Sequence, residues 1–522
     1  MGLSLSLFLS RLGVEHLVVE RHPGTAIHPR AAMLLQRTIE TFRTAGIQDE
    51  VLEASQKEFE QDGAIVSVES LGGKELDWYF RNVNEGVEHL SPSPRLFVTQ
   101  IGLEPVIKER AAELGARLEY SSEVDSLDAD DDGVTALVRK RETGEERTVR
   151  AQYVVAADGA HSPVRERLGI SMAGRGSFSD SVTIYFRADC SELIGDRNLS
   201  VIYVFHPRQI GFFRFSLDKQ SGFLVVNSAA DENGVMSPRL WDDTSESRCV
   251  AWVREALDAP DDLTIEVENV QRWNAQADVA ERFRDGRVFL AGDATHVMPP
   301  TGGYGGNTGV QDAFNLAWKL AYVLDGRAAP ELLDTYEAER QPVARLTVEQ
   351  AYARYVLRLD KSLGTDDLAP IVEDALIDLG YRLRSAGIAR EQDDDDADWE
   401  DPRQPTGRPG FRAPHVELVR NGSRISTLDL SEGSFVLLTG ADGGAWVEAA
   451  SDVASELGVP VDAYRVGADL EDGSDTFFSS YGIDTAGASL VRPDGHVAWR
   501  SRTSVEDPRT ALRDALALTL RR

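Results

Sequence analysis

The chain has 522 residues, more than one hydrophobic core usually serves, so two or three domains are expected. Its formal net charge of −32, from 87 acidic and 55 basic residues, repels phosphate backbones and anionic membranes, and argues against nucleic acid and membrane partners. Only two cysteines, Cys190 and Cys249, are present. This number excludes a disulfide scaffold and a zinc cluster, and we predict a cytoplasmic protein without a metal site.

The N-terminal region predicts half of a βαβ unit. An apolar segment over residues 3–12 ends at Gly13, and a buried strand then runs to Glu20. The segment also fits a signal-peptide core and, with Gly2, a myristoylation pattern. No basic residue precedes the apolar run and no small-residue cleavage site follows it, so we favour the helix.

The predicted secondary structure changes twice in the middle of the chain. Residues 102–115 predict a helix, and residues 117–157 predict a hairpin-like stretch with a turn at Asp130-Asp131-Asp132-Gly133. From 171 to 275 short alternating strands predict an antiparallel sheet domain, joined by part of 60–100 and inserted in the α/β one. A buried strand at 287–291 then returns to the first domain.

A helix with one apolar face is predicted from about Val310, and further helices follow to about 390. The first domain therefore comprises residues 1–170 and 276–390. Residues 391–410 are acidic and rich in proline, which is typical of a linker. Residues 411–522 predict a separate compact α/β unit.

The first of three motifs links Gly2 to Glu20. Glu20 lies 18 positions after Gly2, close to the spacing of about 20 between a dinucleotide-binding glycine motif and its ribose-binding acid. A carboxylate at a strand end can accept hydrogen bonds from ribose hydroxyls. A solvated strand terminus is the alternative explanation.

The second motif covers residues 153–165, in which an apolar strand runs into an Asp158-Gly159 turn, followed by Ser162 and Arg165. A helix capped by Asp158 or Ser162 explains the turn without any ligand. It does not explain why an arginine stands at this offset.

The third and most specific motif covers residues 292–309. A strand delivers Asp293, two prolines stiffen the chain, and five glycines in residues 302–309 precede the predicted helix. Bare backbone lets a flat ring approach N–H groups directly, and the helix presents its positive end. This geometry would stabilise the negative edge of a reduced flavin.

The second and third motifs resemble the "DG" and "GD" signatures of class A flavoprotein monooxygenases, the p-hydroxybenzoate and phenol hydroxylase superfamily. Three further stretches are similar to the branch that hydroxylates aromatic polyketides of the tetracenomycin, anthracycline and angucycline types: 28–31, 311–319 and 336–342. The resemblance spans nearly the whole chain. It implies a Rossmann-like FAD-binding domain of the glutathione-reductase type, an inserted antiparallel-sheet substrate domain and a C-terminal thioredoxin-like domain.

The resemblance also implies roles for single residues. Glu20 would hold the adenosine ribose, Arg30 and Gln100 would contact the diphosphate and ribityl region, and Asp293 would bind in that region too. Asp158 and Arg165 belong to the motif associated with both FAD and NAD(P)H. The remaining residues expected to bind the cofactor are Gly2, Arg21, Gly292, Pro300, Gly305, Gly306, Asn307, Thr308 and Gly309. The last four would meet the isoalloxazine edge, and Pro300 would lie beside the ring, near the substrate.

Two departures from the family pattern stand out. Gly2 corresponds to the third glycine of the dinucleotide motif, so a strand and two glycines, on the order of ten residues, are expected to be missing before it. The C-terminal unit has no Cys-x-x-Cys, because both cysteines lie upstream, and we expect it to be redox-silent.

The implied reaction uses NAD(P)H to reduce FAD, adds O₂ to the flavin, and transfers oxygen from a flavin hydroperoxide to an electron-rich ring. The predicted substrate is a polycyclic aromatic phenol, and the protein is expected to be a monomer or a homodimer. Candidate substrate-binding residues are Tyr185, Tyr203, Phe213 and Phe215. Pro300 and His296 are the candidate catalytic residues, although a structural role is the alternative for His296. Baeyer–Villiger oxidation, epoxidation and flavin-free ligand binding remain open alternatives.

Overall fold

The computed structural model describes residues 1–28, 32–230, 236–237 and 240–522. Residues up to 170 form the first part of an α/β region. Its helices are α1 (Gly2–Arg11), α2 (Gln36–Thr44), α3 (Gln48–Glu58), α4 (Gln100–Glu113) and α5 (Pro163–Arg167). Its strands are β1 (Leu17–Val19), β2 (Met33–Leu34), β3 (Ala64–Val68), β4 (Glu75–Phe80), β5 (Leu96–Phe97), β6 (Arg117–Glu119), β7 (Ser122–Ala129), β8 (Val134–Lys140), β9 (Glu146–Ala151) and β10 (Val154–Ala156).

The next part, to about residue 280, is dominated by strands. Its elements are β11 (Met172–Arg187), α6 (Ser191–Ile194), β12 (Leu199–His206), β13 (Gln209–Phe215), β14 (Ser221–Ala230), β15 (Met236–Ser237), α7 (Glu246–Leu257) and β16 (Glu266–Ala280). The chain then returns to the α/β region through β17 (Arg284–Asp285), β18 (Val288–Leu290), β19 (His296–Val297), α8 (Tyr304–Leu324), α9 (Thr335–Arg358) and α10 (Asp374–Leu379).

The predicted N-terminal helix is present as α1, and its apolar side is in the core. Leu7 and Phe8 are buried, and the helix packs against α4 and α8. Burial of such side chains stabilises a helix by about 1.5–3 kcal/mol each. Strand β1 pairs in parallel with β6, and β10 pairs in parallel with β18, in two separate sheets.

A large, mostly antiparallel sheet covers one side of this region. Its strand order is β19-β16-β11-β14-β13-β12-β3-β4, with β15 beside β14, so β3 and β4 from the first part complete it. One face packs against α7 in an apolar core that includes Phe186 and Trp252. The other face carries an aromatic cluster that contains Tyr203 and Phe212 and faces α9 through Tyr355.

Both cysteines belong to the α7 core. Cys190 and Cys249 are buried and unpaired. Burial raises the pKa of the Cys190 thiol to about 12 and that of Cys249 to about 11, so both stay protonated at neutral pH.

The C-terminal unit has the elements β20 (Glu417–Arg420), β21 (Ser423–Ser426), β22 (Phe435–Gly440), α11 (Gly444–Leu457), β23 (Val461–Val466), α12 (Phe477–Tyr481), β24 (Ala488–Val491), β25 (Val497–Ser501) and α13 (Pro508–Leu520). Its main sheet has the order β23-β22-β24-β25, with β22 and β23 parallel and the other pairs antiparallel. This βαβ-α-ββα arrangement is thioredoxin-like. The predicted fold class is confirmed, while the domain boundaries stay a prediction.

The acidic segment predicted to be a linker is held by arginines along its length. Asp394 pairs with Arg382 at 2.6 Å, and Asp393 pairs with Arg502 at 2.9 Å. The segment is therefore held by ion pairs both to the region before it, through Arg382, and to the C-terminal unit, through Arg502. Across the residues that the structure describes, no helix is long and apolar enough to cross a bilayer.

Candidate functional site

The second and third sequence motifs lie side by side because their strands are neighbours. In the β10–β18 pair Val155 is opposite Phe289, and the Ala291 amide donates to the Ala156 carbonyl at 3.0 Å. The carboxyl ends of these parallel strands therefore deliver Asp158 and Asp293 to one edge. In α/β proteins such an edge is where ligands bind.

Arg165 joins the two motifs directly. Its Nη1 donates to the Ala294 carbonyl at 3.1 Å, and its Nη2 donates to the Ala160 carbonyl at 3.1 Å. The side chain is buried. Arg165 therefore holds the turn of the third motif against the turn of the second, a role that its spacing in the sequence did not reveal.

Asp158 caps a helix with one oxygen and leaves the other without a hydrogen-bond partner among the described residues. Its Oδ2 accepts from the Val164 amide at 3.1 Å at the start of α5, where Ser162 accepts from the Arg165 amide at 3.0 Å. Both caps proposed from the sequence are therefore present. The second oxygen of Asp158, Oδ1, is buried and lacks a hydrogen-bond partner among the described residues.

Asp293 lies in a short 3₁₀ turn, Gly292–Ala294, and its side chain is exposed. Gly292 has φ 63°, in the left-handed region that favours glycine. The ideal Cβ position of Gly309 lies 3.3 Å from the Gly292 Cα, so the absence of a side chain lets α8 approach the turn closely. The side chain of Met1 packs on both glycines.

His296 is buried and contacts Asp312 rather than an open site. Its Nε2 makes a 2.7 Å hydrogen bond with Asp312 Oδ2, which also accepts from the Gly292 amide at 3.2 Å. Arg340 Nε donates to Asp312 Oδ1 at 2.7 Å. Burial opposes the charge of Asp312, but Arg340 and His296 lower its pKa. These contacts favour the structural alternative for His296, and its catalytic role stays an untested prediction.

Helix α8 begins at Tyr304, so the predicted start near Val310 is wrong. Gly303, the N-cap, has φ 69°, and Gly302 has φ 91°. A Cβ at Gly302 would lie 2.3 Å from the Tyr304 ring. The two left-handed glycines make the turn, whereas Gly305, Gly306 and Gly309 are helical.

This earlier start places the expected isoalloxazine contacts in the first two turns of α8. Asn307 Oδ1 accepts from the Leu35 amide at 2.9 Å, and Asn307 Nδ2 donates to the Met33 carbonyl at 2.9 Å. Thr308 Oγ1 donates to the Tyr304 carbonyl at 3.0 Å. The unpaired N–H groups of the first turn and the positive helix end suit an anionic ring edge.

The loop before α8 is fixed on one side and open on the other. Pro300 is exposed, and its carbonyl accepts from the Gly303 amide at 3.0 Å. Thr301 Oγ1 donates to the Ala351 carbonyl at 2.6 Å and anchors the loop on α9. Pro300 therefore occupies an exposed place at the rim of the site.

The N-terminal candidates lie around the start of α1. A Cβ on Gly2 would meet the Ala157 Cβ at 3.6 Å, so α1 begins beside the second motif. Glu20 follows β1, and its carboxylate accepts from the His22 amide at 2.8 Å. Arg21 is exposed, and Gln100 is the first residue of α4. Arg30 lies outside the described residues.

These residues fit FAD. The start of α1 offers the unpaired backbone N–H groups that bind a diphosphate, and Glu20 ends the strand that follows it. The unpaired Asp158 Oδ1 and the exposed Asp293 carboxylate offer oxygen acceptors for ribityl hydroxyls. The first turn of α8 then supplies donors for the flavin ring.

The face of the large sheet opposite α7 is the candidate substrate surface. The four aromatic residues predicted to bind substrate are divided between this face and the face that packs against α7. Tyr203 is paired with Phe212 across β12 and β13, with ring centroids 6.0 Å apart. Tyr185 lies on the same face and contacts the Phe223 ring at 5.9 Å. These two positions agree with a substrate surface.

Phe213 and Phe215 point to the opposite face, so they do not lie on this surface. Both rings pack against Phe186 in the α7 core, at centroid distances of 6.1 and 6.2 Å. Successive side chains of a strand alternate between faces, which places Phe212 and Arg214 on the substrate side.

The sequence interpretation missed Arg214 and Arg358. Arg214 is 5% exposed, and its guanidinium lies 4.1 Å from the Phe59 ring centroid and 4.8 Å from that of Phe97. Its Nε and Nη2 have no hydrogen-bond partner among the described residues. Burial lowers the pKa of Arg214 to about 9. A buried cation with unpaired donors beside the candidate substrate surface indicates a candidate binding residue, and only the structure reveals it.

Arg358 lies at the end of α9 beside two phenols. Its guanidinium is 4.8 Å from the centroid of the Tyr79 ring, and the rings of Tyr79 and Tyr203 contact at 5.6 Å. Burial disfavours the charge of Arg358, but Tyr203 and Asp374 raise its pKa above the ordinary value. The cluster thus joins a permanent cation to a phenol on the aromatic face.

Comparisons with known proteins agree with this geometry. A family described as FAD binding domain matches residues 1–351, and one described as aromatic-ring hydroxylase, C-terminal, matches residues 406–521. The chain is 48% identical to 4-methyl-5-nitrocatechol 5-monooxygenase of a Burkholderia species, covering 99% of this chain and 95% of that one. It is 41% identical to aklavinone 12-hydroxylase of Streptomyces purpurascens, covering 100% and 97%.

Solved structures show the same fold. The aklavinone-11 hydroxylase complex with FAD and aklavinone has a TM-score of 0.93 and 40% identity, covering 100% of this chain and 97% of that one. The flavin-dependent monooxygenase PieE, in complex with FAD and substrate, has a TM-score of 0.86 and 32% identity, covering 99% and 97%. The comparisons do not confirm the strand predicted to be missing before Gly2. The chain belongs to the FAD-dependent aromatic-ring hydroxylases and is a flavin monooxygenase.

Proposed function

We propose that this monooxygenase hydroxylates a phenolic, polyketide-type aromatic substrate that lies between the aromatic sheet face and the Pro300 loop. The observation that carries the proposal is the placement of Tyr203 and Arg358 together on that face. Rings such as Tyr185, Phe212 and Phe223 offer edge and face contacts to a flat substrate.

A phenol reacts faster with electrophilic oxygen when its ring carries more electron density, so deprotonation activates the substrate. Arg358 would stabilise the substrate phenolate, and the Tyr203 hydroxyl would accept the phenol proton at its oxygen while passing its own proton to solvent water. This assignment replaces His296 as the candidate proton-handling group, because His296 is buried against Asp312. It follows the rule that a general base must lie within reach of the proton it takes.

Arg214 would hold an oxygen at the far side of the substrate. It lies opposite Phe223 in the β13–β14 pair, and Phe223 in turn lies opposite Tyr185 in β11. Its free Nε and Nη2 form the same fork that Arg43 uses for Asp429, at 2.6 and 2.8 Å. Both atoms are buried and the Phe59 and Phe97 rings lie against the guanidinium, so binding of a substrate oxygen would require a rearrangement around this side chain.

Bound FAD supplies the redox and oxygen chemistry, with NAD(P)H as the electron donor and O₂ as the oxygen source. One oxygen atom enters the substrate as a hydroxyl group, and the other leaves as water with the two electrons from NAD(P)H. The residues proposed to hold FAD are Gly2, Glu20, Gln100, Asp158, Gly292, Asp293, Gly305, Gly306, Asn307, Thr308 and Gly309.

The names of the relatives suggest two classes of substrate to test. One relative is named for a single-ring nitrocatechol and another for the polycyclic aklavinone. We favour a polycyclic phenol, because aromatic side chains on several neighbouring strands form an extended surface on this sheet face, and an extended flat substrate can contact more of them. A nitrocatechol is the single-ring comparison.

The test is a product assay with purified FAD-loaded protein. NADH or NADPH oxidation is followed with polycyclic phenols, 4-nitrocatechol and catechol, under ¹⁸O₂, and products are analysed by mass spectrometry. We expect a product that carries one ¹⁸O in a new hydroxyl group and an intact ring system. A lactone would instead assign Baeyer–Villiger oxidation, an oxirane would assign epoxidation, and absence of any oxygenated product would contradict the proposal.

Two variants localise the chemistry. Tyr203→Phe should lower kcat while leaving FAD content unchanged, since it removes only a hydroxyl group. Arg214→Lys should raise KM for oxygen-rich phenols about tenfold, because lysine keeps the charge but loses the planar fork. Arg208→Lys is the matched control, since Arg208 lies in the turn between β12 and β13 and pairs with Glu255 instead.

We also propose that the protein works in the cytoplasm as a monomer or a homodimer, without nucleic acid partners. The unpaired state of both cysteines supports a reducing compartment. Light scattering of the purified protein with FAD decides the oligomeric state.

A further inference from the structure

The tip of one hairpin of the C-terminal unit inserts into the FAD-binding region. The hairpin connects β24 and β25, and Asp494 at its tip is 1% exposed. Asp494 Oδ2 accepts from Asn315 Nδ2 at 3.0 Å and from Trp318 Nε1 at 3.2 Å, both on α8. Arg37 Nη2 on α2 donates to the Asp494 carbonyl at 2.5 Å.

A buried ionic cluster surrounds this tip. Arg492 donates to Glu339 on α9 from Nη1 at 2.7 Å and from Nη2 at 2.9 Å, and its Nε donates to Asp494 at 3.0 Å. Lys319 Nζ donates to the same Glu339 at 2.7 Å. The side chains of these four ions are at most 1% exposed. Removing one member of such a cluster leaves the others buried with unbalanced charge.

The cluster continues to the flavin turn through the next residue of α9. Glu339 belongs to the cluster, and its neighbour Arg340 donates to Asp312 Oδ1 at 2.7 Å. Asp312 Oδ2 accepts from the Gly292 amide at 3.2 Å. Two sets of buried polar contacts, joined by the α9 backbone between Glu339 and Arg340, therefore lead from the C-terminal hairpin to the turn that presents Asp293.

Helix α8 offers a parallel mechanical connection. Asn315 lies eleven residues after Tyr304, about 16 Å along a continuous helix at 1.5 Å per residue. The intervening residues are all helical, and those from Asn307 to Ala313 are buried, so the position of Asn315 and Trp318 sets the position of the first turn of α8. The C-terminal unit contains no cysteine, and thiol chemistry does not account for this insertion.

We propose that Asp494 is a positioning residue for the flavin, and that the C-terminal unit serves to hold α8 and the Gly292–Ala294 turn in the geometry that binds FAD. The proposal rests on the assignment of this turn and the first turn of α8 to the flavin. It gives the C-terminal unit a role in cofactor binding from outside the cofactor site.

The test is a double-mutant cycle on FAD affinity with the full chain. Apoprotein is titrated with FAD by quenching of flavin fluorescence, and the reduction potential of the bound flavin is measured. Asp494→Asn and Asp312→Asn should each weaken FAD binding about tenfold, and the double variant should be no weaker than about the poorer single variant. Both single variants should shift the potential in the same direction.

Asp429→Asn is the matched control. Asp429 also joins the C-terminal unit to α2, through Arg43 at 2.6 Å, but among the described residues it makes no hydrogen bond or ion pair with α8. It should leave FAD affinity and potential unchanged and should combine additively with Asp312→Asn. Equal effects of Asp429→Asn and Asp494→Asn would show that any weakening of the contact between the C-terminal unit and the FAD-binding region lowers FAD affinity, and would overturn the proposal. Additivity of Asp494→Asn with Asp312→Asn would also overturn it.

If Asp494→Asn does not fold, Trp318→Phe takes its place, because it removes one donor to Asp494 without changing any charge. We expect about threefold weaker FAD binding, non-additive with Asp312→Asn, and an additive result would overturn the proposal. The assignment of the Gly292–Ala294 turn to the flavin is tested separately by Asp293→Ala. Normal FAD binding by that variant would overturn the assignment.

Discussion

The Nη1 atom of Arg165 donates a 3.1 Å hydrogen bond to the carbonyl oxygen of Ala294, a residue 129 positions away in the chain. Two motifs that look independent in the sequence are thus one unit in the fold. The contact explains why an arginine follows the Asp158-Gly159 turn at this offset, since only a long side chain with several donors spans both turns.

Arg165→Met should therefore weaken FAD binding. The substitution keeps much of the apolar stem but leaves two carbonyls without their donor, which costs on the order of 1–3 kcal/mol and frees the turn that carries Asp293. We expect about tenfold lower FAD affinity, measured by flavin fluorescence titration. Arg167→Met, at an exposed position on the same helix, is the control. Unchanged affinity in Arg165→Met would contradict the role assigned to the contact.

Asp293→Ala should give folded protein that contains little FAD. The carboxylate is exposed at the end of the turn, so its removal costs little stability, whereas a flavin ligand is lost. Absorbance of the purified protein in the visible flavin band reports FAD content directly. Asp285→Ala, on the strand before β18, is the comparison. Full flavin content and normal turnover in Asp293→Ala would remove the basis of the site assignment.

Phe212→Ala and Phe213→Ala should have opposite effects, although the residues are neighbours. Phe213 is fully buried in the α7 core, and its truncation should lower the free energy of unfolding by about 3–5 kcal/mol with little change in KM. Phe212 lies on the substrate face, so its truncation should raise KM on the order of tenfold with a smaller loss of stability. Urea unfolding and steady-state kinetics separate the two. A larger KM effect from Phe213→Ala would reverse the assignment of the faces.

The stability of the interface between α2 and the C-terminal unit should depend on acid pH through Glu40. Burial alone would raise the pKa of Glu40, but Arg412 and Arg37 lower it to about 2. A carboxyl pKa that is lower in the folded state stabilises above the unfolded value near 4.5, and this contribution is lost as pH falls from there towards 2. The expected loss is about 3 kcal/mol.

Glu40→Gln should remove that acid dependence and lower stability at neutral pH by about 3–5 kcal/mol, since Arg412 then stays buried without its partner. Urea unfolding at pH 3, 5 and 7 measures both effects. Glu50→Gln, an exposed residue of α3, should retain the wild-type profile. Retention of the full acid dependence in Glu40→Gln would show that another group titrates.

The sequence predicted the fold class and the flavin chemistry because these depend on local patterns, such as a strand followed by Asp-Gly or a run of glycines before a helix. It predicted the start of α8 six residues late, since glycine lowers helix propensity and Gly305 and Gly306 looked like loop. Both glycines are nevertheless helical, and one turn further on Gly309 lets α8 approach Gly292 closely, a tertiary contact that propensity does not record.

The faces of the substrate sheet could not be predicted for a different reason. Residues Phe212, Phe213, Arg214 and Phe215 carry large side chains at successive positions, so a period of two does not show which face is apolar. Pairing of β13 with β12 and β14 fixes the register, and packing against α7 shows which face is the core. His296 was ambiguous because its partner, Asp312, lies on another element.

Burial of both thiols has a consequence for an enzyme that consumes O₂. Oxidation by peroxide begins at the thiolate, and neither Cys190 nor Cys249 reaches that form near neutral pH. Hydrogen peroxide released in unproductive turnovers would therefore find no reactive sulfur of cysteine to attack.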